Sequence, residues 1–138
     1  MTTHTCYITG TDTDAGKTWV STECLKALSA SGIKAIGMKP VASGCEMTGD
    51  GLRNDDAVKL IAASSTKLPY EFINPIALNE PTAPEIAAKH DGVEISMEPL
   101  LAAVNQIRSH ADVVLVEGVG GWLAPLSDSL DQLDLVRA

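Results

Sequence analysis

Near its start the chain reads Gly10-Thr11-Asp12-Thr13-Asp14-Ala15-Gly16-Lys17-Thr18, a run that joins glycines, a lysine and a threonine in a fixed order. Phosphate oxygens need several N–H donors converging from one side, and a glycine-bearing loop that enters a helix N-terminus supplies them. Lys17 adds a cation for β- and γ-phosphates, and the Thr18 hydroxyl, on the first helical turn, is an oxygen ligand suited to Mg²⁺. The expected ligand is therefore ATP with Mg²⁺, held by Thr13, Asp14, Ala15, Gly16, Lys17, Thr18 and Trp19. From Gly10 the spacing is Gly-x₅-Gly-Lys-Thr, one residue longer than usual. Counted from Thr11 the usual four-residue spacing returns, with threonine in the place of the first glycine.

Mg²⁺ prefers oxygen ligands and keeps several waters, so one or two carboxylates suffice to complete its protein shell. Glu117 follows the aliphatic run Val113-Val114-Leu115-Val116, at the carboxyl end of a buried strand, where open α/β sheets bind ligands. Asp55 and Asp56 open a helix; Asp55 reads as its N-cap and Asp56 as the site residue. Lys39 ends a second strand before Pro40, and is either a surface lysine or a second cation beside Lys17 that offsets charge during phosphoryl transfer.

These residues need a scaffold of strands and helices to bring them together. Cys6 to Thr9 reads as a strand, and Val20, Cys24, Leu25 and Leu28 mark the apolar face of a helix that closes at Ser31-Gly32. Ile33 to Met38 is a second strand, giving a βαβ unit whose strands are parallel if they share a sheet. Val41 to Asn54 reads as loop, residues 55–63 as a helix, and the proline-punctuated stretch that follows as irregular with one short helix over Pro84 to Lys89. A helix over Pro99 to His110 carries Leu100, Ala103, Val104 and Ile107 on one face, and Ser129 to Ala138 begins another. The fold class predicted is α/β, P-loop NTPase-like, a mostly parallel sheet flanked by helices, with all 138 residues in one domain.

The 10 basic and 18 acidic residues give a formal charge of −8 without a basic stripe, which argues against nucleic acid. The first residues lack the pattern of a signal peptide, and no apolar run spans a bilayer, so a cytoplasmic protein with no membrane partner is expected. Cys6, Cys24 and Cys45 are far apart and read as reduced thiols; His4, His90 and His110 read as surface or helix-end residues rather than metal ligands.

Taken in order, the motifs are Gly10-Thr11-Asp12-Thr13-x-x-Gly16-Lys17-Thr18, Lys39-Pro40-Val41-Ala42-Ser43-Gly44, Gly51-Leu52-Arg53-Asn54-x-Asp56-Ala57, Asn74-Pro75, Glu80-Pro81-Thr82-Ala83-Pro84 and Glu117-Gly118-x-Gly120-Gly121-Trp122. This sequence resembles the dethiobiotin synthetase family from Thr9 to about Asp128. The resemblance implies a ligase of biotin biosynthesis that uses ATP, Mg²⁺, CO₂ (bicarbonate in solution) and 7,8-diaminononanoate, acting as a homodimer. In that family the diamine takes up CO₂ as a carbamate, the γ-phosphoryl of ATP moves to the carbamate oxygen, and the second amine closes the ureido ring with loss of phosphate. Carried over by motif, Thr18, Asp56 and Glu117 become metal ligands and Lys17 and Lys39 the catalytic cations. Ser43, Thr13 and Gly120 become substrate contacts, and Glu117, Gly118, Val119 and Gly120 lie against the nucleotide. Trp122 either packs over substrate or anchors the core, and Trp19 reads as packing.

Family members run well past Ala138, so the expectation is a C-terminally truncated relative that lacks the adenine-recognising part and turns over poorly by itself. Two other readings are kept: a truncated, inactive nucleotide-binding relative, and a partitioning-type switch ATPase. The latter carries a signature lysine where this chain has Thr11 and Asp12.

Overall fold

A computed structural model describes residues 2–12 and 15–138. In chain order its elements are β1 (His4–Ile8), α1 (Lys17–Ala30), β2 (Ala35–Met38), β3 (Val41–Ala42), β4 (Glu46–Thr48), β5 (Gly51–Arg53), α2 (Asp55–Ala63), α3 (Tyr70–Ile73), β6 (Ile76–Ala77), α4 (Pro84–Asp91), α5 (Met97–Arg108), β7 (Val113–Glu117) and α6 (Gln132–Arg137). The main sheet is parallel and ordered β1-β7-β2; β3 pairs with β6 in parallel, and β4 with β5 as an antiparallel hairpin. This is the α/β, mostly parallel architecture that the sequence predicts. The strands of the first βαβ unit do share a sheet, but β7 lies between them.

The aliphatic run of β7 is explained by burial on both faces. Val114 and Val116 join Ile36, Met38, Ile73, Val104 and Ile107 in one cluster, whereas Leu115 turns the other way to meet Leu25, Ala35 and Leu60. Alternate side chains of one strand thus feed two hydrophobic layers, as expected of a central parallel strand. On the second face, α1 and α2 approach the sheet closely because residue 37 has no side chain. A Cβ on Gly37 would lie 2.7 Å from Leu25 Cδ1 and 3.1 Å from Leu60 Cβ.

The predicted face of α5 is the buried one: Leu100, Ala103, Val104 and Ile107 all point inward. For α1 the prediction is only half met, since Leu25 is buried and Leu28 partly so, while Val20 and Cys24 are exposed. The buried position on that side is Ser21, whose hydroxyl donates to the Lys17 carbonyl and so enters the core with its hydrogen bond satisfied.

Val41 to Asn54, read above as loop, contains β3 and the β4–β5 hairpin, whose paired Thr48 and Gly51 flank the turn residues Gly49 and Asp50. The strands are too short for a period-2 signal to stand out from the glycines. The irregular stretch also holds the single turn α3, between Pro69 and Pro75. Asp55 is not the cap of α2. Asn54 caps it, its side chain accepting from the Ala57 N–H, and Asp55 pairs with Lys59 at i,i+4. Among the described residues no helix is long and apolar enough to cross a membrane, and the three cysteines are free.

Candidate functional site

Strand register brings the chemistry-bearing residues to one sheet edge. Ile8 is opposite Glu117 in the β1–β7 pair, and Met38 is opposite Val116 in the β2–β7 pair. Neighbouring strands lie roughly 4.8 Å apart, so the phosphate loop after β1, Glu117 on β7 and Lys39 after β2 must emerge side by side. Gly16, the N-cap of α1, has φ +96°, a left-handed conformation that side chains disfavour, and it turns the loop into the helix. The first turn of α1 carries no acidic residue, so its positive dipole end is left for an external anion.

A cleft of about 290 Å³ is lined by Gly16, Lys17, Thr18, Trp19, Lys39, Ser43, Asn54, Asp56, Glu117, Val119 and Gly120. Ten of those eleven are site residues predicted from sequence; Asn54 is not, because from sequence it reads as the last residue of a loop. Ala15 is exposed and lies outside the lining, and Gly118 faces the other way, toward Tyr7 and Gln132. Thr13 and Asp14 lie outside the described residues. Of the two readings of Trp19, packing does not hold: the residue is 71% exposed and lines the cleft. Trp122 is absent from the cleft lining and stands edge-on to Tyr7, with ring centroids 6.3 Å apart.

Within the cleft, Lys39 Nζ donates to Glu117 Oε1 at 3.1 Å and to Asp56 Oδ2 at 3.0 Å. The Thr18 hydroxyl donates to the same Glu117 Oε1 at 2.7 Å. Glu117 is 1% exposed and Lys39 5%, so these are charges removed from water, which persist only when paired. Burial alone would raise the pKa of Asp56. The Lys39 charge and hydrogen bond, the Thr18 hydroxyl and the Lys59 charge outweigh it, and hold the carboxyl below the usual carboxylate range.

Two carboxylates, one ammonium and one hydroxyl leave this cluster one negative charge in excess. The second oxygen of Glu117, Oε2, is buried with no hydrogen-bond partner among the described residues. A buried carboxylate oxygen without a donor is costly unless a cation meets it. Thr18, Asp56 and Glu117 therefore fit a hard cation of the Mg²⁺ type, which takes few protein oxygens and fills its shell with waters and phosphate oxygens.

Lys17 is held separately. Its Nζ donates to the carbonyls of Asp12 at 2.9 Å and Gly120 at 3.0 Å, which ties the phosphate loop to the segment after β7. That segment also touches the loop where the Trp122 N–H donates to the Gly10 carbonyl at 3.1 Å, and where a Cβ on Gly121 would come within 2.6 Å of the Thr11 carbonyl oxygen.

A second network positions Lys39 and Asp56 from behind. Asn74 Nδ2 donates to the Lys39 carbonyl at 2.8 Å, Tyr70 Oη donates to Asn74 Oδ1 at 2.9 Å, and the Asn54 N–H donates to Tyr70 Oη at 2.7 Å. The Arg53 guanidinium stacks 4.1 Å over the Tyr70 ring. The Asn74-Pro75 motif thus links the end of β2 to the cap of α2. Ser43 reaches the rim through the turn at Gly44 (φ +67°), which packs on Pro81 and donates to the Glu80 carbonyl. That contact joins the Ser43-Gly44 motif to the Glu80-Pro81 motif.

Residues 4–138 match the family model described as "AAA domain". The chain is 59% identical over 132 residues to a protein of Xanthomonas oryzae pv. oryzae named ATP-dependent dethiobiotin synthetase BioD, covering 96% of this chain and 59% of that relative. Relatives of the same name in Xanthomonas axonopodis pv. citri and Xylella fastidiosa are 58% and 55% identical over the same share of this chain. The chain spans about three-fifths of the length of these relatives, with 59% of the first and 58% of the last covered. With a glycine-capped loop, a buried lysine and a strand-end carboxylate meeting in one cleft, the chain belongs to the AAA-domain family of P-loop proteins, and within it resembles the dethiobiotin synthetases.

Proposed function

We propose that this chain forms the phosphate and metal end of an ATP- and Mg²⁺-dependent dethiobiotin synthetase, folded as one domain. The reaction converts 7,8-diaminononanoate and CO₂ to dethiobiotin. The observation that carries this reading is the meeting of Lys39, Glu117, Asp56 and Thr18 beside Lys17 in one cleft, in a chain 59% identical to a relative of that name. A bound Mg²⁺ would supply charge neutralisation at the phosphates, held by Thr18, Asp56 and Glu117.

A carbamate is an anion that must attack an anionic phosphoryl group, so positive charge has to be in place beforehand. Lys17, next to the N-terminus of α1, serves the β- and γ-phosphates. Lys39, fixed in the cleft by two carboxylates, is the second cation and lowers the repulsion between the reacting anions. Transfer of the γ-phosphoryl to the carbamate oxygen releases ADP and gives a carbamic-phosphoric anhydride. The second amine then attacks the carbonyl carbon, and phosphate leaves as the ureido ring closes. Ser43 and Gly120, both in the lining of the cleft, contact the diamine, and Gly16 to Trp19 contact the nucleotide. Cytoplasmic location and a homodimer belong to the same proposal.

The test is mass-spectrometric detection of dethiobiotin from ATP, bicarbonate, Mg²⁺ and the diamine. It is run with this chain and with the chain joined to the C-terminal remainder of the Xanthomonas oryzae relative. Product is expected from the joined form at least, with Lys17→Ala and Glu117→Ala reducing it by about a hundredfold or more. Product from neither form would overturn the assignment.

A further inference from the structure

Gln132, the first residue of α6, is 1% exposed and lies outside the cleft. Its side-chain amide makes four hydrogen bonds. Nε2 donates to the carbonyls of Val119 at 2.7 Å and Gly121 at 2.6 Å. Oε1 accepts from the Val119 N–H at 3.0 Å and from the Tyr7 hydroxyl at 2.9 Å. Two donors and two lone pairs are the whole capacity of a glutamine side chain, so this amide is fully engaged.

Three of the four bonds go to the backbone on either side of Gly120, the residue whose carbonyl holds Lys17 Nζ. Gly118 completes the fit, because a Cβ there would lie 2.3 Å from Gln132 Oε1 and 3.0 Å from the Tyr7 hydroxyl oxygen. The glycine allows the amide to reach the loop at all. Tyr7, on β1, carries the same anchor back to the strand from which the phosphate loop departs.

We infer that Gln132 is a positioning residue for Lys17: it clamps the Val119–Gly121 segment so that the Gly120 carbonyl holds the lysine ammonium at the cleft. The inference rests on the reading of that cleft as the nucleotide site. It explains why a glutamine takes a buried position, where an unneeded polar group costs stability. It also gives α6 a part in the site, although no residue of α6 lines the cleft.

The experiment is a double-mutant cycle on ATP binding, measured by calorimetry with the full 138-residue chain. Gln132→Glu keeps the shape but replaces both N–H donors with an oxygen facing two carbonyls. Gln132→Met removes all four bonds without adding charge, and guards against a failure of the first variant to fold; circular dichroism and melting establish folding. If Gln132 acts through Lys17, either variant weakens ATP binding by about tenfold in the unaltered background and by less than about twofold once Lys17 is Met. Effects that multiply independently in the two backgrounds, or a folded Gln132 variant that binds ATP as the unaltered chain does, would overturn the inference and leave the site assignment intact. No ATP binding by the unaltered chain would overturn the site assignment and the inference together.

Discussion

Lys39 and Glu117 stand 78 residues apart in the chain and 3.1 Å apart in the fold, with almost no water at either side chain. A pair of this kind adds little net stability over an apolar pair, but removing one partner leaves the other buried and uncompensated. Lys39→Met is expected to lower the unfolding free energy by about 3 kcal/mol, and Lys39→Met combined with Glu117→Leu to recover part of that loss. Urea unfolding of the three proteins measures both. Equal losses for single and double variants would show that the pair is not the coupled unit described.

Asp56 makes stability depend on acid. Its carboxyl titrates lower in the folded chain than in the unfolded one, because Lys39 and Thr18 favour the ionised form over the opposing effect of burial. The unfolded state therefore takes up protons first as pH falls through the ordinary carboxylate value of about 3.9. The contribution is present in full above that value, and is lost as pH falls through the lower folded value. Asp56→Asn is expected to be less stable than the unaltered chain at pH 7, with the gap closing below about pH 4. A gap that persists unchanged into acid would contradict the ion pair with Lys39.

The Tyr70–Asn74 link is expected to matter for both fold and site. Tyr70→Phe removes the hydroxyl that joins the cap of α2 to Asn74, and leaves the Asn54 N–H without its acceptor. A loss of about 1–2 kcal/mol follows from one unsatisfied group. In an active form, kcat should fall with KM for ATP nearly unchanged, since Lys39 and Asp56 shift while the phosphate loop does not. A rise in KM alone would mean that the network serves nucleotide binding instead.

Gly37 sets the distance of α1 and α2 from the sheet. Gly37→Ala must displace Leu25 and Leu60, both fully buried, and is expected to cost about 1–3 kcal/mol. Gly37→Ala combined with Leu25→Val makes room for the new methyl group and should regain part of the loss. Thermal unfolding of the two variants checks this, and a neutral Gly37→Ala would show that the helices move aside freely.

Much of this was legible in the chain because the relevant physics is local. Glycine before lysine marks a left-handed turn into a helix, four aliphatic residues mark a strand with two buried faces, and the period of α5 gives its inward side. Other features depend on contacts that no local pattern carries. Val20 and Cys24 fit a helical period as well as Leu25 does, yet only the third meets the sheet. Asn54 takes the capping role read onto Asp55, one residue along. Gln132 looks from sequence like any polar residue at the start of a helix, and its work is visible only once residues 119 and 121 are seen beside it.

The strand order has a consequence for the time course of folding. Among the described residues β1 and β2 exchange no hydrogen bonds with each other; both pair only with β7. The contacts that assemble the cleft, Lys39 to Glu117, Thr18 to Glu117 and Lys17 to Gly120, close over 78, 99 and 103 residues of chain. Such distant closures are entropically costly and slow. During synthesis the phosphate loop and its helix leave the ribosome well before β7, so the cleft cannot be complete in a nascent chain until β7 has emerged and paired with both β1 and β2.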